Sequence, residues 1–187
     1  MSEKSRLPPV LQSFVDELAL CVATYGDKGA ALLWTEADEH LLLLYHVWLL
    51  DRLASMPGVP GPGTPVSGMP VPGVPASRVP IAAGPEAAPL VAALGRNLGC
   101  LARAYYHVLP AGGASDRVGF GDDEVTLSVA EGACRLRLWS LAGAECAAPD
   151  LRLREGESLF VPAGHVYEVS DVHTPTVLVV LVLGEEG

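Results

Sequence analysis

The residues of this chain best suited to chemistry are a few imidazoles and carboxylates, most of them in its second half. Its five histidines are His40, His46, His107, His165 and His173. Residues two apart on a strand point the same way, so Asp123 shares a face with Gly121, and His165 shares one with Tyr167. If Asp123, His165 and His173 met, with His107 nearby, two imidazoles and one or two carboxylates would suit a divalent transition metal. The plainer reading of each stands beside this. Asp122-Asp123-Glu124 reads as a solvated turn, His165 follows a Pro-Gly turn, and His173 sits in a polar loop before Pro175. His40 and His46 are six apart and fall on different faces of a helix, so the H-x-x-x-H zinc arrangement is absent. Glu36 and His40, four apart, read as a helix-surface ion pair. No G-x-S-x-G nucleophile motif occurs, and Gly112-Gly113 reads as a turn rather than a phosphate loop.

The elements that must position these residues change character along the chain. Residues 9–24 place Leu11, Phe14, Val15, Leu18, Cys21 and Val22 at helical spacing, with Pro8 and Pro9 where a helix start tolerates them. A second helix is expected from about residue 30 to 56, with Thr35, Glu36, Asp38 and Glu39 as its start signal, and it is apolar on most faces. Such a helix needs a cover, either the rest of the chain or a second subunit. Residues 57–89 contain ten Pro and six Gly and read as a linker or long loop, because proline removes backbone donors. Residues 90–106 show a helical pattern weakened by Gly95 and Gly99. Thereafter the period becomes two: Val125, Leu127 and Val129, then Leu136 and Leu138, then Leu151 and Leu153 alternate with polar residues, as in half-buried strands with polar outer faces. Glu131-Gly132 and Glu155-Gly156 are hairpin signals, and residues 176–183 read as a strand buried on both sides. The division is therefore an N-terminal helical region (1–56), a Pro/Gly-rich linker or loop (57–89), and a helix plus β-barrel domain (90–187).

Composition narrows the partners. The 187 residues provide for one domain of ordinary size, and at 50% hydrophobic and 18% charged they imply a folded core. A net charge of −10 with no Lys/Arg run argues against nucleic acid and anionic membranes. No apolar stretch is long enough to span a bilayer, and the first ten residues do not read as a signal peptide, so a soluble, intracellular protein is expected. The widely spaced Cys21, Cys100, Cys134 and Cys146 signal neither a zinc knuckle nor a disulfide framework.

Residues 156–171 (Gly156-Glu-Ser-Leu-Phe-Val-Pro162-Ala-Gly164-His-Val-Tyr167-Glu-Val-Ser-Asp171) have the spacing G-x5-P-x-G-x2-H-x3-N, with Tyr167 at its His and Asp171 at its Asn. This resembles the second cupin motif. Upstream, Tyr106-His-Val-Leu-Pro110-Ala-Gly112, Gly119-Phe-Gly121 and Glu124-Val-Thr-Leu-Ser-Val-Ala-Glu131-Gly132 resemble the first half of JmjC-type oxygenases, in particular the ribosomal-oxygenase-like cupins. The similarity runs from about residue 105 to 183. It implies an α+β fold in which N-terminal helices precede a cupin/JmjC-like double-stranded β-helix, a jelly-roll barrel.

The resemblance also implies a chemistry from which this sequence departs. Such oxygenases hold iron with an H-x-D pair and a distal His, leaving positions open for 2-oxoglutarate and oxygen. Here Gly119 and Gly121 fall at the H-x-D positions, Tyr167 at the distal His, and the cosubstrate lysine falls near Ala133 or Cys134. The expectation is a degenerate, metal-free barrel without cofactor, acting as a binding or assembly module. Tyr105, Tyr106, His107, His165 and Tyr167 would be the polar and aromatic groups nearest a barrel mouth that takes a small molecule or peptide. A protein partner or second copy would dock on the N-terminal helices. Two alternatives stand: an Fe(II)/2-oxoglutarate oxygenase or other metal cupin with Asp123, His165 and His173 as a rearranged ligand set, and a structural subunit of a larger complex.

Overall fold

The computed structural model describes residues 7–55, 78–141 and 151–184. Helix α1 (Pro9–Tyr25) starts on proline and buries Leu11, Phe14, Val15, Leu18 and Cys21, the stripe its spacing dictates. The segment expected as one helix from about residue 30 divides in two. Ala31–Trp34 form strand β1, and helix α2 begins only at Asp38 and runs to Ala54. Asp38 and Glu39 lie in the first turn of α2 and Arg52 in the last, matching the helix dipole at both ends. The first four residues are taken by β1 because its backbone pairs with β8 (Glu157–Val161), a partner 120-odd positions away that local periodicity cannot register.

Most of the Pro/Gly-rich stretch, residues 57–77, lies outside the described residues. Its last part is built against the barrel: β2 (Ile81–Ala82) pairs with Tyr106 and Tyr105, and a single 3-10 turn (Pro85–Ala87) leads into helix α3 (Ala88–Leu98). The helical pattern expected up to residue 106 stops at Gly99, whose φ of 66° is the left-handed conformation that closes a helix. Strand β3 (Leu101–Leu109) follows at once.

The remaining strands are β4 (Val118–Gly119), β5 (Glu124–Glu131), β6 (Ala133–Ser140), β7 (Leu151–Arg154), β9 (His165–Ser170) and β10 (Thr176–Gly184). They form a six-stranded sheet in the order β1-β8-β5-β10-β3-β2 and a four-stranded sheet in the order β4-β9-β6-β7, with every pair antiparallel. Eight of these strands, 8-5-10-3 facing 4-9-6-7, have the interleaved order of a double-sheet jelly roll. Among the described residues the fold is thus α+β, with three helices and a jelly-roll barrel.

Two apolar layers result from the strand period of two. Val125, Leu127, Val129, Leu136, Leu138, Leu153, Leu178, Val180 and Val182 fill the space between the sheets. Val177, Val179, Leu181 and Leu183, the alternate residues of β10, meet Phe14, Leu18, Leu41, Trp48 and Leu94 of the three helices on the outer face of the six-stranded sheet. Strand β10 is accordingly buried on both sides, as its unbroken apolar run indicates. The expectation of a polar, solvated outer face fails for β5. Thr126 and Ser128 are buried, and Ser158 Oγ donates to Ser128 Oγ at 2.7 Å, because the helices cover that face. Among the described residues no helix is long and apolar enough to cross a membrane.

Candidate functional site: the barrel interior and its rim

The alternation of β3 and β9 decides which aromatic and imidazole groups enter the barrel. On β9, Tyr167 and Val169 point inward, and Val166 and Glu168 point out. On β3, His107 and Leu109 point inward, so the neighbouring Tyr106 must point out. Tyr167 is 1% exposed and His107 fully buried; the Tyr167 hydroxyl lies 3.4 Å from His107 Nδ1, with ring centroids 6.1 Å apart. Burial, reinforced by the nearby Cys134, pushes the Tyr167 phenol well above the usual tyrosine range. Burial likewise pushes the Cys134 thiol up to about 12. Burial thus favours the protonated form of both groups. Leu136 and Leu138 flank them on β6, and Leu178 of β10 is the register partner of His107.

Of the other expected rim residues, Tyr105 and His165 stay on the barrel side of their strands and Tyr106 does not. Tyr105 is half-buried with its ring centroid 5.3 Å from that of Phe120. His165 opens β9 on the same face as Tyr167; its Nδ1 lies 3.1 Å from the Ala163 carbonyl and 3.2 Å from that of Pro162, so this nitrogen is the donor. Tyr106, expected near the mouth, is on the opposite side of the sheet. There its ring packs at 5.5 Å from Tyr45 and 5.2 Å from Trp48, and its hydroxyl donates to Glu86 Oε1 at 3.0 Å. The correction follows from register: in a strand only one of two adjacent tyrosines faces in, and the sequence does not say which.

The proposed rearranged ligand set does not assemble. Asp123 is ion-paired with Arg103 beside the end of β10. His165 is the first residue of β9, whereas His173 is exposed three residues beyond its end, so the five residue steps of the strand, roughly 17 Å at about 3.4 Å each, lie between His165 and the start of the loop that carries His173. Among the described residues no group of three His, Cys, Asp or Glu could hold a metal ion. The glycines at the H-x-D positions are not aimed into the interior either. A Cβ on Gly119 would meet Val166 Cγ1 at 2.5 Å, on the outward face, and Gly121 is in a left-handed turn (φ 68°) with nothing within 4 Å of a Cβ.

Two features were not legible in the linear pattern. The first is the Tyr45–Trp48–Tyr106–Glu86 cluster between α2 and the sheet. The second is a set of arginines on the outer face of the four-stranded sheet. Surface grooves of about 510 Å³ and about 400 Å³ lie, respectively, between α1 and β1 (Leu20, Cys21, Tyr25, Leu32, Trp34) and beside the loop after β3 (Arg78, Pro110, Gly112, Asp116).

The strand order and packed interior define a double-sheet jelly roll. No family profile and no curated protein matches the chain. Solved structures of cupins do resemble it. An 11S globulin from Wrightia tinctoria is 15% identical over 46% of this chain and 21% of its own, with a TM-score of 0.41. The ribosomal oxygenase YcfD from Escherichia coli is 18% identical over 52% of this chain and 28% of its own, with a TM-score of 0.42. The cupin domain of Cnp3 from Schizosaccharomyces pombe is 14% identical over 45% of this chain and 56% of its own, with a TM-score of 0.38. The match therefore spans between a fifth and just over half of each of these structures, and the likeness is one of fold.

Proposed function

We propose that this chain is a cupin-type barrel without metal chemistry that serves as a binding or assembly module. The observation that carries the reading is the neutral Tyr167 phenol packed against His107 in an interior filled by Leu and Val. The placement of His165 at the start of β9 and of His173 beyond its end, and the engagement of Asp123 by Arg103, support it. The rim formed by Tyr105, Phe120 and His165 is where a small molecule or peptide would enter.

The partner surface on this reading is α2. Leu41, Tyr45 and Trp48 turn inward, while Leu43 (58% exposed), Val47 (46%) and Leu50 (67%) form a second stripe at the same spacings of four and three on the outside. That spacing is the seam of paired helices, and a second copy docking the same stripe is its simplest cover.

The test is elemental mass spectrometry of untagged protein before and after anaerobic incubation with Fe(II), with mass measured by light scattering. The expected result is no stoichiometric metal and twice the chain mass of 19.5 kDa, falling to the single-chain mass in a Leu43→Glu/Leu50→Glu variant. Stoichiometric metal that is lost in both Asp123→Ala and His165→Ala would overturn the metal-free reading in favour of an Fe(II)/2-oxoglutarate-type enzyme. A single-chain mass at every concentration would overturn the homodimer.

A further inference from the structure

The outer face of the four-stranded sheet concentrates charge opposite in sign to the net charge of the chain. Five of the chain's 12 lysines and arginines, Arg117, Arg135, Arg137, Arg152 and Arg154, lie on or beside this face, although the net charge is −10. Antiparallel register sets Arg135 directly opposite Arg152 on the edge strand β7, and Arg137 opposite Glu168 on β9. Like charges directly opposite on neighbouring strands are destabilising. No packing demand calls for them, since the alternate residues Cys134, Leu136 and Leu153 supply the core contacts of the same strands.

We propose that this face is a docking surface for a short, carboxylate-rich segment of a partner protein. The guanidinium groups here already engage carboxylates: Arg135 Nη1 lies 3.0 Å from Asp171 Oδ2, and Arg117 Nε 3.8 Å from Glu168 Oε2. Asp171, at a positive φ of 51°, presents its carboxylate to Arg135 from a conformation that L side chains rarely adopt. The Arg117 guanidinium also stacks 3.7 Å above the Trp139 ring, which fixes its plane. Among the described residues, the ion pairs of this face set two carboxylates, Glu168 and Asp171, against five arginines, and guanidinium forks match incoming carboxylates in bidentate fashion.

Size and surroundings select a short ligand. Four strands at about 4.8 Å spacing span roughly 14 Å, the length of about four extended residues. A long polyanion such as single-stranded nucleic acid would run off this patch onto a molecule whose remainder is more acidic than its net charge states, whereas a short acidic segment would not. This surface is separate from the α2 stripe, so either assignment can fail without the other.

The experiment is fluorescence anisotropy of the full chain with a labelled hexaglutamate peptide at low ionic strength, against a labelled single-stranded oligonucleotide of equal charge. Saturable peptide binding that weakens as salt rises is expected, at least tenfold weaker in Arg135→Gln/Arg152→Gln and unchanged in Arg96→Gln on α3. The double variant should melt close to the parent, since relief of the Arg135–Arg152 like-charge pair offsets loss of the exposed Arg135–Asp171 ion pair; Arg137→Gln is a second variant that should weaken binding in the same direction. Absence of saturable peptide binding, equal binding by the Arg135→Gln/Arg152→Gln variant, or tighter binding of the oligonucleotide than of the peptide would each overturn the proposal.

Discussion

Replacement of Tyr167 distinguishes a packed barrel from an open one. The ring is 1% exposed and surrounded by the leucines and valines between the two sheets. Tyr167→Ala removes a whole aromatic from a close-packed site, and the loss should be about 3–5 kcal/mol, the range for large aromatic truncations in cores. Tyr167→Phe removes only the hydroxyl. Its partner, His107 Nδ1, is 3.4 Å away, near the outer limit of a hydrogen bond, so the loss should fall at the lower end of about 0.5–1.5 kcal/mol. For a chain of this length each kcal/mol moves the melting temperature by roughly 2–4 °C, which puts Tyr167→Ala about 6–20 °C below the parent and Tyr167→Phe within a few degrees of it. Urea denaturation and thermal melts of the three proteins supply the comparison. If Tyr167→Ala lay within about 1 kcal/mol of the parent, the ring would be lining an accessible mouth instead of filling the core, and the argument for a filled interior would be wrong.

Cys134 gives a prediction in pH. Its folded thiol is pushed by burial from the ordinary 9 up to about 12. Between those values the native state keeps a proton that the unfolded state has released, so stability falls as pH rises from 9 towards 12, by up to roughly 1.4 kcal/mol per unit. Cys134→Ala should flatten that slope in denaturation curves, and in the parent the Cys134 thiol should react with a disulfide reagent only on unfolding. A Cys134 that labels at the rate of a small-molecule thiol in native buffer would contradict its placement. Gly132 makes the hairpin between β5 and β6 with φ of 84°, and a Cβ there would lie 2.6 Å from both the Pro175 carbonyl oxygen and Thr176 Oγ1. Gly132→Ala should therefore cost more than the 1–2 kcal/mol or so expected of the left-handed conformation alone. Gly112→Ala, at φ of 75° with no atom within 4 Å of its Cβ, should cost only that amount, and equal urea midpoints for the two variants would refute the contact argument.

The division between sequence and tertiary structure can be traced to particular residues. Local spacing was enough for α1, for the strands carrying Val125–Leu127–Val129 and Leu136–Leu138, for the glycine turns at 132 and 156, and for the doubly buried β10. In each, a stripe or alternation within one segment reports the face that must be buried, and the Gly156–Asp171 spacing added the jelly-roll expectation. Local pattern failed where a distant partner decided the outcome. Ala31–Trp34 became a strand because Phe160, Leu159, Ser158 and Glu157 offered a ladder, and Leu101–Tyr106 became one because β10 and β2 flank it. The site divides in the same way. That Tyr167 stands where a ligand histidine would be expected is visible in the sequence, as is the same-face relation of His165 and Tyr167. Which of Tyr105, Tyr106 and His107 enters the barrel, how far His173 lies from His165, and how five scattered arginines come to share one face depend on strand register and pairing across the chain. A period-two pattern shows that a strand has two faces; only the sheets packed on either side determine what each face meets.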